Sequence, residues 1–144
     1  NNQLDHLYMD CNSIIYDSLR EHELTNINVY ENLIIKSVCE KIINSGAIVD
    51  KADISGKSGI HYAAASGFIK TLKVLINAGV SIDRVDAYNS TPLIWASAYG
   101  HNEVVKYLIS LGANINHTED TGKTAADYAI TAGYKETYNI LTTK

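Results

Sequence analysis

Between residues 102 and 110 the apolar side chains fall at Val104, Val105, Leu108 and Ile109, with polar Asn102, Glu103, Lys106 and Ser110 among them. That i, i+1, i+4, i+5 spacing lays one apolar stripe along a helix of 3.6 residues per turn. A shorter helix is predicted just before it. Ser90 and Thr91 offer hydroxyls at a helix start, and Pro92 sits in the first turn, where its missing N–H costs nothing. The helix runs through Ile94-Trp95-Ala96-Ser97-Ala98 and stops before Gly100, a residue that tolerates the left-handed backbone ending a helix. Gly112 closes the second helix, and polar stretches at 83–90 and 116–123 separate one helical hairpin from the next. The pattern is all-α.

The hairpin is repeated. Gly67, Gly100 and Gly133 recur on a 33-residue step, as do Leu75, Leu108 and Leu141, then Ala63, Ala96 and Ala129, then Gly46, Gly79 and Gly112. Four independent columns on one period define a repeat array in which each hairpin buries its stripe on its neighbour. The alanines let successive units approach closely. Gly56, Asn89 and Gly122 keep the same step at the turn tips, and Asn is the non-glycine residue best able to adopt positive φ there.

Thr91-Pro92-Leu93, Gly100-His101-Asn102-Glu103-Val104-Val105-Lys106-Tyr107-Leu108 and Leu111-Gly112-Ala113-Asn114-Ile115-Asn116 resemble an ankyrin repeat almost letter for letter. The unit from Asp53 resembles it through Gly56, Ile60-His61-Tyr62-Ala63-Ala64 and Gly67, with Ser58-Gly59 in place of Thr-Pro. The last unit, from Gly122 to Ala129, resembles a C-terminal ankyrin cap, more polar than its predecessors. The resemblance implies an all-α ankyrin solenoid over about 44–144, with units 53–85, 86–118 and 119–144 after a degenerate half unit. It also implies a protein-interaction module, binding a macromolecular partner on its concave face without catalysis or cofactor.

Upstream the frame fails, because it puts Ile34 at the inter-helix glycine and Tyr30 at the small alanine. Residues 1–43 are therefore expected to differ in origin. Leu4 to Tyr16 resembles the first motif of the 5′→3′ exoribonuclease family, in which an Asp at a strand end binds metal, and Asp10 is the matching position. Paired Mg²⁺ ions need several converging carboxylates, and the family's later acidic motifs are missing from the chain. The segment reads either as a nuclease remnant, inactive alone, or as a cap over the open face of the first unit. The cap would include a helix over Val29 to Ser45.

Composition narrows the function. Of 144 residues, 46% are hydrophobic and 19% charged, in the range of folded globular domains. A net charge of −4 with no clustered basic face argues against phosphate-neutralising contact with nucleic acid. Cys11 and Cys39 lack the spacing of a zinc site or disulfide framework, which suggests reduced thiols and an intracellular setting. No apolar run of membrane-spanning length occurs, so no membrane association is expected. Asn1 in place of an initiator Met points to a processed chain or a piece of a longer one. Usage rich in Ile, Asn and Tyr hints at the AT-rich genome of a large virus or a protist.

The five histidines sit at no metal-ligand spacing, and neither a nucleophile elbow nor a phosphate-cradling glycine loop occurs. No enzyme signature is found. His61 is expected to bond loop backbone, and Asn116 resembles the ankyrin asparagine that a dioxygenase can hydroxylate, with bonding across its own turn as the structural alternative. For partner binding by a monomer, Tyr62, Trp95 and Tyr128 share one column, serving either a binding ladder or inter-unit packing. Tyr88 and Tyr99 flank that column, and with Ile54 and Lys57 they complete the candidate surface.

Overall fold

The computed structural model describes residues 51–143. The upstream cap with its expected helix, Asp10, and both cysteines lie outside the described residues. Among those described, the chain forms six helices: α1 (Gly59–Ser66), α2 (Ile69–Asn77), α3 (Pro92–Ala98), α4 (Asn102–Ser110), α5 (Ala125–Ala132) and α6 (Lys135–Thr142). They pair as three hairpins, and no strand occurs among the described residues.

Each hairpin starts on a hydroxyl residue held in extended backbone. Thr91 Oγ1 accepts the Ile94 N–H at 3.3 Å, and Pro92 opens α3. Thr124 accepts the Asp127 N–H at 3.3 Å while the Asp127 carboxylate accepts the Thr124 N–H at 2.9 Å, a reciprocal pairing that satisfies two orphan donors. In α1 the same return bond comes from an imidazole: the Ser58 N–H donates to His61 Nδ1 at 3.1 Å.

The reversal inside each hairpin is one hydrogen-bond pattern used three times. Phe68, His101 and Tyr134 donate their N–H to the carbonyls of Ala63, Ala96 and Ala129 at 2.9, 3.0 and 2.9 Å. The preceding Gly67, Gly100 and Gly133 stand at φ +74°, +72° and +87°, so this is the six-to-one bond of a Schellman ending. The column of small alanines thus serves twice, as packing surface and as acceptor. All three alanines are fully buried.

First helices stack on first helices, α1 on α3 on α5, with α4 against α6 behind them. The core is one continuous cluster running through Ile60, Phe68, Leu72 and Leu75, then Leu93, Val104, Val105 and Leu108, and on to Ala125, Ala129 and Leu141. Contacts therefore join sequence neighbours, as expected of an array whose stability sums unit and interface terms.

Candidate functional site

The turn tips are built around an acidic column. Asp53, Asp86 and Glu119 keep the same step as the glycines, each at the entry of its turn. Asp53 Oδ1 accepts the N–H groups of Ser55 and Lys57 at 2.8 and 3.0 Å. Asp86 Oδ1 accepts those of Tyr88 and Ser90, both at 2.9 Å, and Glu119 accepts those of Thr121 and Lys123, both at 3.0 Å. Each carboxylate thereby closes its own loop, a side chain doing what strand pairing does elsewhere. Burial acts to raise the Asp53 pKa, but these bonds and the Tyr62 hydroxyl outweigh it and hold the carboxyl below its usual range.

The second carboxylate oxygen reaches the aromatic column. Tyr62 Oη donates to Asp53 Oδ2, and Trp95 Nε1 donates to Asp86 Oδ2 at 2.9 Å. Tyr62, Trp95 and Tyr128 are all half-buried and pack against the core. The Tyr128 hydroxyl is pushed above its ordinary pKa by partial burial, then by the negative charges of Glu119 and Asp86.

Backbone bonds tie one tip to the next on the same period. The Ala87 N–H donates to the Ser55 carbonyl and the Asp120 N–H to the Tyr88 carbonyl, each at 3.1 Å. Asn89, at φ +60°, adopts the left-handed backbone its sequence position predicts. It also bridges units, since its Nδ2 donates to the Thr118 carbonyl at 3.2 Å and its own carbonyl accepts from His117 Nε2 at 2.8 Å.

The remaining candidates gather round this frame. Lys57 Nζ lies 4.1 Å from the Trp95 ring centroid and 6.0 Å from that of Tyr62, so it crosses from the first unit to the second. Tyr99 stacks on Trp95 with centroids 6.3 Å apart and planes 12° from parallel, yet keeps 52% of its surface exposed. Tyr88 is 58% exposed at the second turn tip, and Ile54 projects fully into solvent at the first. Contacts thus bring Lys57, Tyr62, Trp95 and Tyr99 together. Tyr128 begins the third unit of the same column, with Lys123 Nζ 5.7 Å from its ring centroid.

Two further histidines serve the scaffold. His61 is buried, with Nε2–H donating to the Arg84 carbonyl at 2.8 Å and Nδ1 accepting from Ser58, an arrangement that requires the neutral ring. Burial lowers its pKa, only partly opposed by the Arg84 carbonyl. His101 donates Nε2–H to the Ala65 carbonyl of the unit before it at 2.9 Å, and burial lowers its pKa as well. At the second inter-unit turn, Asn114 Oδ1 accepts the Asn116 N–H at 3.1 Å, so Asn114 supplies the side chain that bonds this turn. Asn116 itself is exposed.

The acidic column was not among the sequence candidates, although its regular step was there to be read. Three carboxylates in polar turns look like solvated residues until their oxygens are seen to face inward.

The family model for ankyrin repeats, in three copies, matches residues 28–119 and 60–144. The chain belongs to the ankyrin-repeat family. The first match begins at residue 28, upstream of the residue 44 at which the 33-residue frame becomes regular. Comparison with curated proteins finds no match. Ankyrin repeats are protein-interaction modules, and this ankyrin chain has their all-α solenoid architecture. No helix among its described residues is long and apolar enough to cross a membrane.

Proposed function

We propose that this ankyrin array captures another protein on the face formed by its turn tips and first helices, acting as a monomeric, intracellular scaffold without catalysis. Ile54, Lys57, Tyr62, Tyr88, Trp95, Tyr99 and Tyr128 form the surface. One observation carries the reading: Tyr88 and Tyr99 stay more than half exposed on a frame whose turns are closed by carboxylates that accept loop N–H groups. Rigid, exposed aromatics lose little conformational entropy on docking and concentrate binding energy. The half-buried Tyr62, Trp95 and Tyr128 serve both packing and contact, offering ring edges to a guest while their other atoms hold the array.

Within this reading the units run 53–85, 86–118 and 119–144. A Tyr88→Ala, Tyr99→Ala double variant of the full chain tests the surface. Capture of a partner from source-cell extract should weaken, with the melting temperature falling by no more than a few degrees. Unaltered capture would refute the surface, and lost folding would make those rings packing residues.

A further inference from the structure

Lys57 and Lys123 stand at the same position of the first and third units, with Ser90 between them in the column. Lys123 Nζ lies 5.7 Å from the ring centroid of Tyr128 in its own unit. Lys57 has the equivalent ring, Tyr62, 6.0 Å away, but comes much closer, 4.1 Å, to Trp95 in the next unit. Indole attracts a cation more strongly than phenol does, which accounts for the forward lean. Among the described residues the Lys57 ammonium forms no ion pair with a carboxylate, so the rings are its contacts.

Three contacts meet on Trp95. Its Nε1–H donates to Asp86 Oδ2 at 2.9 Å, which anchors one edge of the indole within its own unit. Lys57 reaches the ring from the preceding unit, and the Tyr99 ring stacks on it with planes 12° from parallel. A hydrogen bond at Nε1 fixes that atom but constrains the tilt of the ring plane only loosely, whereas a cation drawn to the face constrains the tilt directly. Tyr99 keeps 52% of its surface exposed, and among the described residues its hydroxyl makes no hydrogen bond. Beyond its own backbone, the orientation of that ring therefore depends on the stack.

Resting on the partner-binding reading above for what the rings serve, we propose that Lys57 is a positioning residue of that surface. Its ammonium sets the plane of Trp95 and, through the stack, the plane in which Tyr99 meets a partner. A cation of the first unit thereby orders an aromatic pair of the second, so the pair depends on the charge at position 57. A neutral side chain of similar length fills the same space without holding the ring face, and an arginine holds it.

The chain has one tryptophan, so its fluorescence reports on Trp95 alone. Emission and near-ultraviolet circular dichroism are recorded on the full-length chain and on its Lys57→Gln, Lys57→Arg and Tyr99→Leu variants, with no partner added. Lys57→Gln should shift Trp95 emission and lose most of the near-ultraviolet signal that Tyr99→Leu removes. Its melting temperature should fall by no more than a few degrees, the scale of one cation–π contact at a partly exposed site. Lys57→Arg, which keeps a cation over the ring, should retain both signals. Unchanged spectra in Lys57→Gln, or equal changes in Lys57→Arg, would overturn the role. A Lys57→Gln chain that melts far below the parent would overturn it as well, by making the contact a strut of the fold. Because these spectra need no partner, they are decided apart from the surface. Capture indifferent to Tyr88→Ala, Tyr99→Ala would bring down the surface and leave the ordering of Trp95 and Tyr99 by Lys57 standing.

Discussion

The middle unit (86–118) and the last unit (119–143) have the same helices and turns but opposite surroundings. Ser97 in the middle unit is fully buried, while Ile130, its counterpart one repeat on, is 47% exposed. Ile94 is buried and its counterpart Asp127 is exposed, bound back to Thr124. Burial in a repeat array is thus set by whether a neighbour stacks on that face, and hydropathy follows it loosely. Gly100 and Gly133 make the same point on the backbone: both hold positive φ, but a Cβ on Gly100 would meet the Tyr134 ring at 2.5 Å and one on Gly133 would meet nothing within 4 Å.

The comparison can be broken at its core first. Leu108→Ala should cost about 2–5 kcal/mol, and Leu141→Ala toward the lower end of that span because Leu141 keeps 6% of its surface exposed where Leu108 keeps none. Urea unfolding followed by circular dichroism would measure both, and equal losses would mean that the last unit is packed as an interior one. Next come the glycines. Gly133→Ala should cost about 1–2 kcal/mol for the left-handed backbone alone, and Gly100→Ala should cost more because the Tyr134 ring must also move.

Acid should loosen the interior before the end. The neutral rings of His61 and His101 have folded pKa values below their ordinary 6.5, because burial disfavours the imidazolium. Below pH 6.5 the unfolded chain takes up protons that the folded chain resists, so their contribution is complete above that value and lost as pH falls toward the folded pKa values. The melting temperature should drop from neutral to mildly acidic pH, and a His61→Gln, His101→Gln variant should flatten that dependence. Smaller still, Thr124→Ala should cost about 1 kcal/mol through the lost cap. Ile130→Ser, at a side chain already 47% exposed, should change stability by no more than about 0.5 kcal/mol in thermal melts.

Much of the frame was legible in the sequence because the backbone left few alternatives. Positive φ at a hairpin reversal selects glycine, so the column at 67, 100 and 133 announced the period, and Asn89 at φ +60° confirmed the reading of its turn. The ends of α3 and α4 were equally readable, since Thr91-Pro92 and the glycines at 100 and 112 delimit them. The site was less so. Asp53, Asp86 and Glu119 act through inward-facing oxygens, and Glu in place of Asp disguised the third. The reach of Lys57 to Trp95 joins two different units, which no local pattern encodes.

Because each acid fastens its loop from within, the outward positions carry little duty toward folding. Ile54, Ala87 and Asp120 share one column, as do Ser55, Tyr88 and Thr121, so aliphatic, aromatic and acidic side chains are all borne by the same turn. The tips can be rewritten residue by residue while the spacing between them stays constant. Such an array can change its clientele without having to solve its folding problem again.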